Sequence, residues 1–266
     1  MFFLTWVQMG WALPLGLALD HLLGELPRFH PLVGFGRLAG GLERRLNPHH
    51  PNHTEVLNPT QSNALNSTAP TRSAIHPRLA GLVALLLLVI LPTLLIGAAH
   101  LLKSPIDAVV GALLLYLALG GRSLVEHADW ISQAMAERGL EAAREKVGWI
   151  VSRDTSAMTE EQVARGALES LLENGHDAIF ATLFWFLLAG APGAVLHRLV
   201  NTLDAMWGYR SNRYRHFGWA AARLDDVMGW IPARLTALTY LAAASVVGGG
   251  RPADGVRAWQ ALGPWK

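Results

Sequence analysis

Long apolar runs alternate along this chain with short, densely charged stretches. Phe2 to Leu23 is almost continuously apolar, with Trp6 and Trp11 near its start and Asp20 near its end. It has neither a basic leading segment nor an A-x-A cleavage site, so it reads as a retained first span. Leu79 to Leu102 is the clearest spanning run, interrupted only by Pro92. Ile106 to Leu119 is shorter and returns through the bilayer, making a tight hairpin around Lys103-Ser104-Pro105. Ile179 to Val200 is apolar but broken at Gly190-Ala191-Pro192-Gly193, and Ile231 to Val247 forms the last run. The pattern predicts an all-α polytopic membrane protein, a single domain over 1–266, with about four spanning helices at 2–23, 79–102, 106–119 and 231–247.

The polar segments complete this picture. Residues 47–76 are rich in Asn, Pro, Ser, Thr and His and read as a flexible insert, with His49, His50, His53 and His76 solvated. From Arg122 the pattern turns amphipathic, with Leu124, Ala128, Ile131 and Met135 on one face and Gly139 as a stop; this predicts a helical layer over 122–178. Within it, Thr159-Glu160-Glu161-Gln162 has the form of a capping box, opening a helix to about Asn174 with Gly175 as its terminator. Arginine is abundant in 27–78 and in 122–178, which places both on the cytoplasmic side. The five arginines of 210–234 share that side if 179–200 enters and returns as a re-entrant helical hairpin.

Composition narrows the function classes. Apolar residues make up 52% and charged residues 16% of the chain, outside the ordinary soluble range. Cysteine is absent, which removes disulfides, thiolate nucleophiles, iron–sulfur clusters and Cys-ligated zinc. Only Lys103, Lys146 and Lys266 are lysines among 22 basic residues, so the charged region after 147 holds neither a Walker P-loop nor a pyridoxal-phosphate lysine. A net charge of +2 gives no nucleic-acid signal.

The chemistry-bearing residues lie between 152 and 236. Arg165, Glu169, Glu173 and Asp177 recur at every fourth position, so the acids share one helix face and repel unless a cation compensates. Two readings stand: a solvated face with an Arg165–Glu169 pair, or a cation or phosphate site with Asn174 and His176 alongside. An oxygen-rich set suits Mg²⁺, which takes a few carboxylates plus substrate phosphates. A second cluster joins Asn201, Asp204, Tyr209, Arg210, Arg213, Tyr214 and Arg215, and a third joins Arg223, Asp225, Asp226 and Arg234. The arginines suit phosphate and carboxylate recognition, or positive-inside anchoring for Arg210, Arg213 and Arg215.

At these residues the chain resembles the adenosylcobinamide-phosphate synthase family of cobalamin biosynthesis, the CobD/CbiB membrane proteins. The resemblance rests on Asp20 with Gly24, His30-Pro31 and Gly36-Arg37, and on Arg153-Asp154-Thr155. It continues with Glu169-Ser170, Glu173-Asn174 and Asp177, with Leu183-Phe184-Trp185, and with Asn201-Thr202-Leu203-Asp204, Met206 and Gly208-Tyr209. Leu224-Asp225-Asp226 and Ile231-Pro232-Ala233-Arg234 complete it. The chain departs from the family pattern at Gly175-His176, where a small hydroxyl residue and Ser are usual, at Thr182 for Pro, at Ala205 for Ser and at Gly229 for Asn. The changes at Thr182 and Gly229 are expected to alter the turn and a polar contact. The family normally continues past the position of Lys266 with a Gly-rich block and a further apolar segment.

The resemblance implies ATP-dependent amide formation between adenosylcobyric acid and aminopropanol or its phosphate, with ATP as co-substrate and Mg²⁺. It implies Glu169, Glu173, Asp177, Asp204 and Asp226 as catalytic residues and Glu169, Glu173, Asp225 and Asp226 as metal ligands. Substrate and phosphate groups would be held by His30, Arg37, Arg153, Asn174, Asn201, Tyr209, Arg210, Arg223 and Arg234. The implied partners are corrinoid and amino-alcohol substrates and the lipid bilayer, with self-assembly or contact with other cobalamin-pathway membrane proteins left open. The implied location is the bacterial inner membrane, active face towards the cytoplasm. Two other classes compete: a non-enzymatic regulator of the β-lactamase-induction type from the same superfamily, and a transporter, for which the expected inverted repeat is not visible.

Overall fold

The computed structural model describes residues 2–25, 30–50, 76–101, 106–151 and 153–247. Helix α1 spans Phe2–Leu23, α2 Pro31–Leu46 and α3 Pro77–Leu101, the last containing a π turn at Leu86–Ile90. Helix α4 covers Asp107–Ala118 and α5 Gly121–Gln133, the latter extended by a π turn at Ala134–Arg138 that ends at Gly139. Short α6 (Leu140–Val147) leads to α7 (Glu160–Gly175), which passes through a π turn at His176–Ala181 into α8 (Thr182–Trp207). Helix α9 runs Trp219–Val247. Among the described residues, 77–101, 107–138 and 160–207 are long and apolar enough to cross a membrane by length and composition. Leu79, Leu82, Leu86, Leu87, Leu91, Leu94 and Leu95 lie exposed on α3, the kind of apolar face that lipid covers.

Local chemistry sets the boundaries. The capping box forms as its sequence predicts: Gln162 N–H donates to Thr159 Oγ1 at 3.3 Å, and Thr159 N–H donates to Gln162 Oε1 at 2.8 Å. Gly175, expected to stop α7, does not; the helix continues, and a Cβ there would approach the Tyr240 hydroxyl to 2.7 Å. Its glycine therefore serves close packing of α9 rather than termination. In α8 the backbone breaks at Gly190 (φ 69°), a left-handed conformation that glycine adopts freely. The chain folds back there, since Thr182 Oγ1 meets His197 Nδ1 at 3.3 Å across the break. Residues 182–189 and 191–207 thus form a helical hairpin.

Three buried clusters hold these elements. Trp207, Phe217, Val89, Val200 and Leu203, with Ala39 and Met228, join α2, α3, α8 and α9; Ala12, Leu115, Leu119 and Phe186 join α1, α4 and α8; Ile131, Val147 and Val163 join α5, α6 and α7. A reciprocal cap ties α1 to α5: Arg122 N–H donates to Asp20 Oδ2 at 3.2 Å, while the Arg122 guanidinium donates to the carbonyls of His21 (3.0 Å) and Leu22 (2.9 Å).

The connection between α8 and α9 is clamped. Glu43 of α2, almost wholly buried, accepts from Arg213 Nε at 3.0 Å and Nη2 at 2.6 Å, and from Asn47 Nδ2 at 2.9 Å. Asn47 Nδ2 also donates to the Arg213 carbonyl at 2.9 Å, and His50 Nε2 lies 3.5 Å from Glu43. The insert read over 47–76 therefore begins later than expected: Asn47 and His50 are buried against Glu43, not solvated, because they complete the solvation of an interior carboxylate. His76 caps α3, accepting from Arg78 N–H at 3.3 Å; residues 51–75, including His53, lie outside the described residues.

At Gly218 the backbone passes against the Trp207 carbonyl so closely that a Cβ would overlap it. Gly218→Ala is expected to cost about 1–3 kcal/mol or more by overpacking, seen as a lower thermal unfolding midpoint in detergent.

Candidate active site

The π turn at His176–Ala181 decides where the acids go. Its wider turn interrupts the four-residue spacing, so the row Arg165–Glu169–Glu173–Asp177 does not continue as one stripe. Glu169 stays on the exposed face, where it accepts from Arg165 Nε at 2.9 Å and Arg153 Nη2 at 3.3 Å. With Asp154 and Gln162 these residues line a cleft of about 550 Å³. Glu173 is exposed, and Asn174 turns back to donate to the Ser170 carbonyl at 2.8 Å.

Asp177 instead faces α8 and α9. Asn201 acts on the carboxyls of both Asp177 and Asp225, Asp204 feels the charge of Asp226 and then of Asp177, and Asp225 feels that of Asp204 and Asp177. The hydroxyl of Thr182 donates to the Asp177 carbonyl at 3.1 Å. Thr182, a departure from the family pattern, thus satisfies a carbonyl beside the wide turn. Asp225 lies on α9 ahead of the apolar run from Ile231. Burial, first, and then the negative charges of Asp204 and Asp177 push its carboxyl up to about 7, against the opposing hydrogen bond from Asn201.

The four acids read as one metal set are thus parted: Glu169 is held by two arginines, Glu173 is exposed, and Asp226 is exposed and accepts from Arg223 Nη1 at 3.1 Å. Asp225 turns to Asp177 and Asp204, as expected for adjacent residues that project to different sides. Among the described residues no three His, Asp or Glu side chains converge into a metal cage. The carboxylates around Asn201 nevertheless suit Mg²⁺, a hard cation that binds through one or two carboxylates and completes its shell with water and phosphate oxygens.

The remaining predicted residues spread around this centre. His30 caps α2, its Nδ1 accepting from Leu32 N–H at 3.3 Å; Arg37, Tyr209 and Arg210 are exposed. Arg234 lies over the Trp230 ring, 3.8 Å from its centroid, and donates to the Trp230 carbonyl at 2.6 Å. His176 Nδ1 meets Thr236 Oγ1 at 3.0 Å, and its Nε2 lies 3.7 Å from Asp177. A Cβ at Gly229 would stand 3.9 Å from His176 Nε2, so two departures from the family pattern meet in space: the histidine occupies room that a larger residue at 229 would need. Arg198, absent from the sequence-based set, feels the charge of Asp177. Its only sequence signal was its place just ahead of Asn201 in a broken apolar run.

The raised Asp225 has a checkable consequence. An aspartate in an unfolded chain titrates near 3.9. The folded protein therefore carries an extra proton between about 4 and about 7. Without divalent cations its stability is expected to fall as pH rises across that window and to level off above it. Mg²⁺ should restore stability increasingly as pH passes about 7, because it replaces the proton; thermal unfolding at several pH values, with and without Mg²⁺, reads both effects.

Comparison with known proteins supplies the last observation. A family model described as "CobD/Cbib protein" matches residues 13–264. A protein of Chromobacterium violaceum named cobalamin biosynthesis protein CobD is 51% identical over 253 residues, covering 95% of this chain and 73% of the relative. The Stutzerimonas stutzeri protein of that name is 48% identical over 248 residues, covering 93% and 72%. A probable cobalamin biosynthesis protein CobD of Pyrococcus abyssi is 40% identical over 230 residues, covering 85% and 70%. No solved structure matches the chain.

Proposed function

Because the chain belongs to the CobD/CbiB family, whose matched relatives are named for cobalamin biosynthesis, we propose that it is the membrane ligase that attaches aminopropanol or aminopropanol phosphate to adenosylcobyric acid. The observation that carries this reading is the set of carboxylates from three helical segments, Asp177, Asp204 and Asp225, which feel one another's charge, with Asn201 acting on Asp177 and Asp225. One or two of these carboxylates would hold Mg²⁺, which when bound would neutralise charge on the phosphates of ATP. The terminal phosphoryl group would pass to a corrinoid carboxylate oxygen as ADP departs. The amine nitrogen would then attack the activated carbonyl carbon, the carbon–oxygen bond to phosphate would break, and the amine proton would leave to a base. His176, whose Nε2 lies 3.7 Å from Asp177, would be that base.

Such chemistry is mainly positioning and charge stabilisation, which the fixed acids and nearby arginines suit. Arg153, with the cleft it lines, and Arg223 would grip anionic groups at the edge. The arginine distribution favours the inner membrane with this face towards the cytoplasm.

The test is ligation in detergent with adenosylcobyric acid, ATP, Mg²⁺ and either amine, following corrinoid mass. Product with one amine supports the ligase and identifies its substrate. No product with either amine, from folded protein, would move the reading to a non-enzymatic regulator of the same superfamily.

A further inference from the structure

Among the described residues, Arg198 is the least explained charge. It sits on α8 one turn before Asn201, and its Nε is shut off from solvent without a hydrogen-bond partner. Glu25 and Asp177 are the acids whose charge it feels, yet among the described residues neither closes an ion pair with it. An arginine has five donors in a rigid fork, and leaving a buried one unused is costly. Such a group persists where something else supplies the acceptor.

The surroundings define that acceptor. At Gly120 a Cβ would stand 3.8 Å from Arg198 Nη2, 3.2 Å from Glu25 Oε1 and 3.5 Å from the Ala178 Cβ, so the bare glycine lets the guanidinium and the Glu25 carboxylate close on the same spot. Glu25 is itself exposed. His30 lies within electrostatic reach of Glu25 and Arg198. Because its Nδ1 accepts from Leu32 N–H, a neutral His30 carries its proton on Nε2 and has a donor to offer. Asp177, next to Ala178 in the chain, acts on Arg198 and links this spot to the acid centre.

We propose that Arg198 seats a phosphate group of a substrate, with His30 as second donor, at the edge of the Asp177–Asn201–Asp225 centre. The proposal rests on the ligase reading above and adds the residue that orients its phosphate. A planar guanidinium fork matches a phosphate with two parallel hydrogen bonds, which Lys does not reproduce. A phosphate here would lie between this fork and the carboxylates that hold Mg²⁺, an arrangement that clamps a phosphoryl group from two sides. That phosphate belongs either to ATP or to the phosphorylated amine. Glu25 opposes an anion and would swing outward on binding.

The test uses the whole protein in detergent with Arg198→Gln, Arg198→Lys and Glu25→Gln. Inorganic phosphate should raise the unfolding temperature of the wild type and of Glu25→Gln, and that rise should vanish in Arg198→Gln. In the ligation assay Arg198→Lys should raise one KM by about tenfold or more. A rise for ATP alone assigns the seat to the nucleotide, and a rise for the amine phosphate alone assigns it to the amine. If Arg198→Lys and Arg198→Gln, both folded, keep the phosphate shift and unchanged KM values, the proposal is overturned while the ligase reading stands. The proposal also falls if Glu25→Gln loses the phosphate shift as fully as Arg198→Gln, since Arg198 then serves only to balance Glu25. If the wild type makes no product, the ligase reading falls and the phosphate shifts still judge Arg198.

Discussion

Asp225→Asn should lower the ligation rate by about 10²–10³-fold or more, the loss typical when a preorganised electrostatic group is removed from a site. The substitution keeps side-chain volume and an oxygen for Asn201, so the helices should remain packed. It removes the charge that Asp204 and Asp177 crowd against. Asp177→Asn should behave alike. Asp226→Asn should cost far less, about tenfold or under, because that carboxylate is exposed and already bound by Arg223 at 3.1 Å. Rates with saturating ATP and Mg²⁺, alongside an unfolding curve for each variant, separate the two aspartates. Equal losses at Asp225 and Asp226 would mean that the acid centre is not where these helices place it.

Arg213→Met should be the most damaging change to stability outside the membrane-facing surfaces. Glu43 is 2% exposed at its side chain, and both of its oxygens bind the guanidinium. Removing the arginine leaves a buried carboxylate with Asn47 and His50 as its partners among the described residues, at an expected cost of about 3–5 kcal/mol. Glu43→Gln should cost less, about 1–3 kcal/mol, because it removes the charge and keeps an acceptor. The double change Glu43→Leu with Arg213→Met should recover part of the loss, since no unpaired charge remains. Thermal unfolding in detergent with size-exclusion as a check on aggregation gives all three. Activity should fall with Arg213→Met as well, because this clamp holds the connection that sets Asp204 against Asp225.

What the sequence revealed was whatever local chemistry decides. The capping box at Thr159, the stop at Gly139 and the break at Gly190 each depend on a few neighbouring residues and are found where those residues predict them. The apolar runs likewise report an all-α membrane protein, because lipid demands internally satisfied backbone. Pairings that depend on tertiary packing were hidden. Glu43 and Arg213 lie 170 residues apart, and the insert between them reads as polar throughout. Asn47 thus looked like the start of a flexible insert and His50 looked solvated, although they complete a buried network.

The candidate site was legible in residue type and less so in arrangement. Regular four-residue spacing predicted one acidic stripe from Glu169 to Asp177, but a π turn has no clear sequence signature, and a turn that bonds five residues apart breaks the stripe at His176. Gly175 looked like a terminator because glycine commonly ends helices; here the approach of Tyr240 is the reason for it. Arg198 passed unnoticed because an arginine at the end of an apolar run reads as an anchor. Only its buried, unpartnered Nε marks it out.

The most direct test of the acid centre is binding of Mn²⁺, a paramagnetic stand-in for Mg²⁺, to detergent-solubilised protein in the presence of ATP, read by electron paramagnetic resonance. The account predicts a bound-metal signal that appears with ATP, persists in Glu173→Gln and is lost in Asp225→Asn. A signal unchanged in folded Asp225→Asn and abolished in Glu173→Gln would contradict it, placing the metal on the exposed face of α7 instead.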